Sequence, residues 1–288
     1  MMSILKLPRG RELDLSHPHI MAVLNVTPDS FSDGGNHITY DSAVNKALEL
    51  IEQGATIIDI GGESTRPGAA NVSVVDELNR VIPVIKALRK KSDCVISIDT
   101  SKAQVMAKAV DVGADFINDV RALQEPDALQ TAASLNVPVC IMHMQGQPRT
   151  MQSAPSYSDL MSDINDFFFQ RIKACETHGI DKKQIILDPG FGFGKTLAHN
   201  YEILNKIDVF KTIGCEILAG LSRKSMIGNL LNRDTNERLA GSLAGALIAA
   251  QKGAKIIRVH DVAQTFDVLK VWQACEKGLD KKGKVNVG

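Results

Sequence analysis

Asp188 ends a short apolar run, Ile185-Ile186-Leu187, and is followed by Pro189 and by glycines at 190, 192 and 194. The run reads as a buried strand bounded by turn residues. Pro189 cannot continue a ladder, and the alternating glycines reach backbone conformations that other residues resist. An acid at the tip of a buried strand, beside a glycine-rich mouth, makes one wall of a ligand site. Paired with Asn118, Asp188 suits an amidine-like edge: a carboxylate accepts two parallel N–H bonds from a planar N–C–N group, and an amide donates and accepts beside it. A second set of residues is cationic. Arg66, Arg223, Lys224, Arg258 and His260 lie at or just past the ends of apolar runs in a chain whose 33 Lys plus Arg balance 33 Asp plus Glu. Such a cluster in a neutral chain points to an anionic ligand group.

These residues need a scaffold that gathers them. Apolar, partly β-branched runs recur over Ile20–Asn25, Thr56–Ile60, Val95–Asp99, Phe116–Asn118, Val139–Met144, Ile185–Asp188, Ile217–Leu221 and Lys255–Val259. About eight is the number a closed (β/α)8 barrel requires, and 288 residues suit a single α/β domain of that TIM-barrel class. Helical periodicity fills the gaps. Val44, Ala47, Leu48 and Ile51 share a face ahead of Gly54, and Ser73 can cap a helix in which Pro83 predicts a kink. Further helices are expected over Lys102–Val112, Ser162–His178 and Glu237–Lys252, each stopped by a glycine. Repeated helix–Gly–strand junctions predict parallel βα units. In this fold the C-terminal strand ends share one face. There lie Asn25, Glu63, Thr65, Asp99, Asn118, His143, Asp188, Lys224, Arg258 and His260. Taken singly, Asp99 before Thr100 reads equally well as a helix cap, and Asn118 as a turn residue. Caps alone do not bring Asn, Asp, Lys, Arg and His to one mouth.

Composition excludes several classes. No global charge favours nucleic acid or a membrane surface. The five cysteines form no C-x-x-C and fall mostly in apolar segments, as reduced core thiols do. Met1–Asp14 has no apolar core suited to export, and the run Leu243–Ala250 is far shorter than the roughly 20 residues that span a bilayer. A cytoplasmic protein is expected. Gly190–Thr196 misses the phosphate-binding loop G-x-x-x-x-G-K-[ST] by one residue, because Pro189 stands where glycine is needed. His17-Pro18-His19 precedes the first run without a carboxylate at ligand spacing, and His143 reads as a satisfied strand-end histidine. No Ser–His–Asp set or nucleophile elbow stands out. Val26–Gly35 and Gly62–Ala70 are long polar loops expected to be mobile and functional.

As a set, Asn25–Gly35, Asp59–Gly68, Ile98-Asp99-Thr100, Ile117-Asn118-Asp119, Leu187–Lys195, Ser222-Arg223-Lys224-Ser225 and Arg258-Val259-His260-Asp261 resemble the dihydropteroate synthases of the bacterial folate pathway, from about Leu13 to Val271. The resemblance implies a pterin-binding barrel over residues 1–288, with its core at about 13–277 and a polar tail. The implied reaction joins 6-hydroxymethyl-7,8-dihydropterin pyrophosphate to 4-aminobenzoate, with sulfonamides as mimics of the latter. It assigns Asp188 and Asn118 to the pterin's amino-pyrimidine edge, Asp99 to the opposite edge and Lys224 to the carbonyl side. It stacks Arg258 on the ring, with Met142 and Val120 lining the slot. His260, Thr65 and Arg66 would hold pyrophosphate, with Asn25 as protein ligand of a bridging Mg2+. Phe31, Pro67, Phe193 and Ser225 would form the aminobenzoate pocket. Asp99, Lys224 and Arg258 are the implied catalytic groups. Pro67-Gly68 follows Arg66 without an inserted aromatic, so sulfonamide sensitivity is expected. The family also implies a homodimer, through Leu239–Ala250 and Val262–Cys275. A methyltetrahydrofolate methyltransferase-like barrel would share Asp99, Asn118 and Asp188, but would not need the cationic pyrophosphate set. A pterin-binding subunit without catalysis would need neither the two loops nor a second aromatic pocket.

Overall fold

A computed structural model describes residues 4–27, 40–64, 71–146, 155–280 and 285. Phe31, Thr65, Arg66 and Pro67 lie outside these residues, as does most of each of the two polar loops.

Strands β1 (Ile4–Leu7) and β2 (Arg11–Asp14) form an antiparallel hairpin that has no counterpart among the expected elements. Leu5 and Leu7 on one strand and Leu13 on the other point the same way, as alternation requires. With Leu15 they bury against Met21, Ile57, Val95, Phe116, Cys140, Ile186, Leu218 and Ile256, residues from all eight strands that follow. The hairpin thus plugs the floor of a barrel. Arg9, Arg11 and Arg89 converge on the fully buried Asp115, which also accepts the Ile96 N–H at 2.9 Å. These bonds tie the hairpin to that floor.

The barrel is the expected one: β3 (His19–Asn25), β4 (Ile57–Gly61), β5 (Val95–Asp99), β6 (Phe116–Asp119), β7 (Val139–Met142), β8 (Ile185–Asp188), β9 (Glu216–Ala219) and β10 (Ile256–Val259). All neighbours pair in parallel, and β10 closes on β3. Helices α1 (Tyr40–Glu52), α2 (Val74–Lys91), α3 (Ala103–Val112), α4 (Ala128–Leu135), α5 (Leu160–Thr177), α6 (Leu197–Lys206), α7 (Ser225–Leu231), α8 (Leu239–Gln251) and α9 (Val262–Lys277) lie between and after the strands. Ser73 caps α2 by accepting the Asp76 N–H at 3.0 Å, and α2 runs on through Pro83 as one helix. Gly54, at φ +108°, ends the turn after α1, and Leu50 joins Val44 and Ala47 as buried residues of a face against which Leu48 and Ile51 also pack, partly buried. All five cysteines are free thiols.

Strand alternation makes two cores. Outward residues such as Ile58 and Ile60, Ile96 and Ile98, and Leu187 pack under the helices. Inward residues of the lower layer are the apolar set that meets the hairpin. Above that layer, the same inward positions turn polar, and they form the floor of the site.

Candidate active site

Inward alternation carries Asp59 on β4, Ser97 and Asp99 on β5, Asn118 on β6, Met142 on β7, Asp188 on β8 and Arg258 on β10 into the upper barrel. Gly61 and Gly220 sit among them, where an added Cβ would meet its neighbours at ordinary contact distance. A Cβ on Gly61 would stand 3.5 Å from the Asp99 Cβ and 3.8 Å from the Asn25 Oδ1, and one on Gly220 would stand 3.7 Å from the Arg258 Cβ.

Arg258 is the electrostatic centre. Its Nε donates to Asp59 Oδ2 at 2.7 Å and an Nη donates to Asp99 Oδ2 at 2.8 Å. Asp59 also accepts the Ser97 hydroxyl at 2.6 Å and the Asn118 amide NH2 at 3.0 Å. Burial opposes charge on Arg258, but Asp59 and then Asp99 outweigh it and hold the guanidinium protonated, its pKa raised. Asp99 is pushed up to about 7, first by burial and then by the Asp59 charge, while Arg258 pulls the other way. Burial likewise raises Asp188, opposed by Lys224, by the Gly190 N–H it accepts at 2.7 Å, and by Arg258 and Lys195. Burial drives Lys224 down to about 8, with Asp188 working against that shift. The Lys224 ammonium donates to the Phe191 carbonyl and lies 4.6 Å from the centre of the Phe193 ring.

The glycine-rich turn is built around close backbone approach. Gly190, Gly192 and Gly194 have φ of +70°, +80° and +65°. A Cβ on Gly190 would fall 2.0 Å from the His143 carbonyl oxygen, and one on Gly194 would fall 2.4 Å from that of Gln145. Lys195 turns back into the protein. Its Nζ lies 3.0 Å from His143 Nδ1 and donates to the His143 and Phe193 carbonyls at 3.3 and 3.1 Å. Burial lowers His143 to about 3 and Lys195 to about 7. His143 is therefore a neutral anchor, and Lys195 is not presented to a phosphate. Gly190→Ala combines backbone strain with overpacking, together about 3 kcal/mol. It is expected to lower Tm by roughly 10 °C. A thermal melt within 2 °C of the parent would show that the turn adapts.

One expected residue takes another place. Arg223 does not join the cation set: Nε donates to Asp261 Oδ2 at 2.9 Å, on a backbone turned to φ +58°. His260 is exposed beside the mouth, its Nδ1 3.1 Å from Ser222 Oγ. Ser225 is exposed at the start of α7, next to Lys224. Phe193 and Val120 are half-buried at the rim, and Met142 is buried at the tip of β7. Asn25 ends β3 opposite Gly61. Glu63, at the base of the second polar loop, pairs with Lys102 and accepts the Val72 N–H at 3.3 Å. The His19 ring is engaged by the Thr56 hydroxyl at 3.1 Å and the Asp14 carbonyl at 2.6 Å, on the floor side. Asp59 and Ser97 are the site residues that sequence reasoning passed over; the available signal was a carboxylate inside an otherwise apolar run.

The family profile of the pterin binding enzymes matches residues 21–260. The dihydropteroate synthase of Haemophilus influenzae is 58% identical over 262 residues, covering 91% of this chain and 95% of the relative. This chain belongs to the dihydropteroate synthase family. A Yersinia pestis dihydropteroate synthase, solved as a sulfonamide drug complex, superposes with a TM-score of 0.90 at 53% identity, covering 95% of this chain and 99% of the other. The Xanthomonas albilineans dihydropteroate synthase, solved in complex with 7,8-dihydropteroate, gives a TM-score of 0.87 at 47% identity over 95% and 98% of the two chains. Membership fits the barrel and makes this chain a transferase. Among the described residues no helix is long and apolar enough to cross a membrane.

Proposed function

We propose that the barrel mouth binds 6-hydroxymethyl-7,8-dihydropterin pyrophosphate and 4-aminobenzoate and joins them into 7,8-dihydropteroate with release of pyrophosphate. The observation that supports the assignment of roles is the bonded set Arg258, Asp59, Asp99 and Asn118 on the inward face of the upper barrel, with the oppositely charged Asp188 and Lys224 acting on each other beside it. Asn118 gives its NH2 to Asp59, so its carbonyl oxygen is left to accept an N–H from the pterin. Asp188 accepts from the amino-pyrimidine edge beside it, and Lys224 donates to the pterin carbonyl. Arg258, held edge-on by two carboxylates, offers its flat face for stacking on the ring. Phe193, Ser225, Phe31 and Pro67 are assigned to aminobenzoate, and Thr65, Arg66 and His260 to pyrophosphate.

Asn25 offers one neutral amide oxygen on the far side of Gly61 from Asp99, 3.8 Å from where a Gly61 Cβ would stand. Among the described residues no cluster of three acidic, histidine or cysteine side chains could cage a metal. A neutral amide oxygen is a donor that Mg2+ accepts, so Asn25 would be the protein ligand of such an ion. When bound, the ion would neutralise the leaving group's charge. The chain's own part is electrostatic. As the methylene–oxygen bond opens, positive charge spreads into the dihydropterin ring, and ionised Asp99 faces it. The arylamine attacks with a free lone pair and needs little base assistance. The substitution is largely dissociative, with no covalent enzyme intermediate.

Pyrophosphate release from the pterin substrate, measured with and without Mg2+ and 4-aminobenzoate, tests this reading. Release that needs Mg2+, with dihydropteroate formed only when aminobenzoate is present and suppressed competitively by sulfamethoxazole, is the expected result. Tight pterin binding without release would reject it. We further propose a cytoplasmic homodimer through α8 and α9, where Leu239, Ile248 and Val271 leave apolar side chains exposed.

A further inference from the structure

Asp59 touches no substrate in the reading above, yet it is a buried carboxylate with three side-chain partners inside the barrel. It lies on β4, and its three partners come from three other strands: Ser97 on β5 at 2.6 Å, Asn118 on β6 at 3.0 Å and Arg258 on β10 at 2.7 Å. Its side chain is fully buried, so a ligand in the mouth does not reach it. Two of its partners are groups assigned to the pterin. Asp59 holds Arg258 Nε, and the Arg258 Nη that reaches Asp99 bonds its Oδ2. Without Asp59, the guanidinium loses the carboxylate that holds its Nε and can turn further onto Asp99, and the Asn118 amide loses the acceptor that fixes its NH2 end.

We propose that Asp59 is the positioning residue of the pterin site: it sets the orientation of Arg258 and Asn118 and keeps Arg258 from fully neutralising Asp99. The inference rests on the assignment of Asn118 and Arg258 to the pterin. Besides Asp59, the charged groups acting on Asp99 are Arg258, Asp119 and Glu77, and only Asp59 and Arg258 would change in the test that follows.

The test compares the full-length parent with Asp59→Asn, Asn118→Ala and the double variant, by steady-state kinetics across pH and by thermal melts. Asp59→Asn is expected to raise the pterin KM at least about 10-fold, the scale of a lost charged hydrogen bond. The acid limb of its kcat/KM profile moves to lower pH by about one unit, because a neighbouring negative charge is gone and Arg258 turns to Asp99. In the double variant the KM increase is no larger than the greater single effect, since both changes disrupt one bonded unit. Ser97→Ala keeps the carboxylate but removes one anchor, and is expected to raise the pterin KM a few-fold. It serves as the readout if Asp59→Asn does not fold. A purely structural Asp59 would lower Tm and leave the pterin KM and the acid limb in place, which overturns the proposal; for Ser97→Ala the same pattern overturns it. An unchanged pterin KM in Asn118→Ala would instead overturn the site reading on which the proposal stands.

Discussion

Arg258→Met is expected to remove turnover, to below about one-thousandth of the parent rate, because one change deletes the ring-stacking face and the cation nearest two buried carboxylates. The methionine fills most of the volume, so packing loss is small. The electrostatic loss is not small. Removing one partner of a buried ion pair typically costs about 3–5 kcal/mol, because the remaining charge stays behind without compensation. Here two carboxylates, Asp59 and Asp99, lose it together. Part of that penalty is relieved by protonation, and the pH dependence follows. Asp99 is already raised from 3.8 to about 7, with Arg258 opposing the rise, so losing Arg258 raises it further. A carboxyl whose folded pKa lies above its unfolded value contributes stability that is fully present below the unfolded value. That contribution is lost as pH rises through the folded one. The parent therefore loses this contribution between about pH 4 and 7, and the variant goes on losing it to higher pH. Urea unfolding at pH 5.5 and 8.0 should show a stability gap between parent and variant that widens at the higher pH. A gap that narrows would mean that Arg258 is not the compensating charge.

The barrel could be read from the sequence because each strand is a short run of apolar residues closed by a glycine or a polar tip, and helices of the right length lie between. Residues at those tips were equally legible: Asp99, Asn118, Asp188 and Arg258 each break a run where a mouth should be. The hairpin was not. β1 and β2 are only four residues each, with Pro8, Arg9 and Gly10 between them, and their leucines gain meaning only from a barrel floor that needs covering. Asp59 was hidden differently. Ile58 and Ile60 on either side face the helices, so the run reads as uniformly apolar. Only strand parity shows that the acid between them faces inward with Ser97 and Asn118. Arg223 failed for a third reason. Its neighbours Ser222 and Lys224 do face the mouth region, but a left-handed backbone at Arg223 itself sends the side chain to Asp261. Side-chain direction at a single turn residue is a matter of one dihedral, and sequence spacing does not encode it.

Asp99→Asn separates binding from catalysis. Asparagine keeps the shape and can still meet Arg258 and a ring nitrogen, so the pterin KM should stay within about threefold. The amide carries no charge to oppose the cation that develops as pyrophosphate leaves. On the scale of a lost electrostatic stabiliser, kcat should fall about 10²–10³-fold. The same assignment fixes the pH profile. In the parent, kcat/KM should climb as Asp99 ionises near 7 and decline as Lys224 loses its proton near 8, leaving a narrow bell. In the variant the acid limb should vanish and the alkaline limb should stay, since Lys224 still titrates beside Asp188. Stability moves the opposite way to activity. The neutral amide has no ionisation to oppose burial, so the variant gains relative to the parent as pH rises from about 4 to about 7. Ionised Asp99 is thus destabilising to the fold and necessary for the reaction, as expected of a group whose charge is kept for the transition state. Equal losses in kcat and in pterin affinity, with both limbs of the bell retained, would remove the electrostatic role from Asp99 and leave it a binding group.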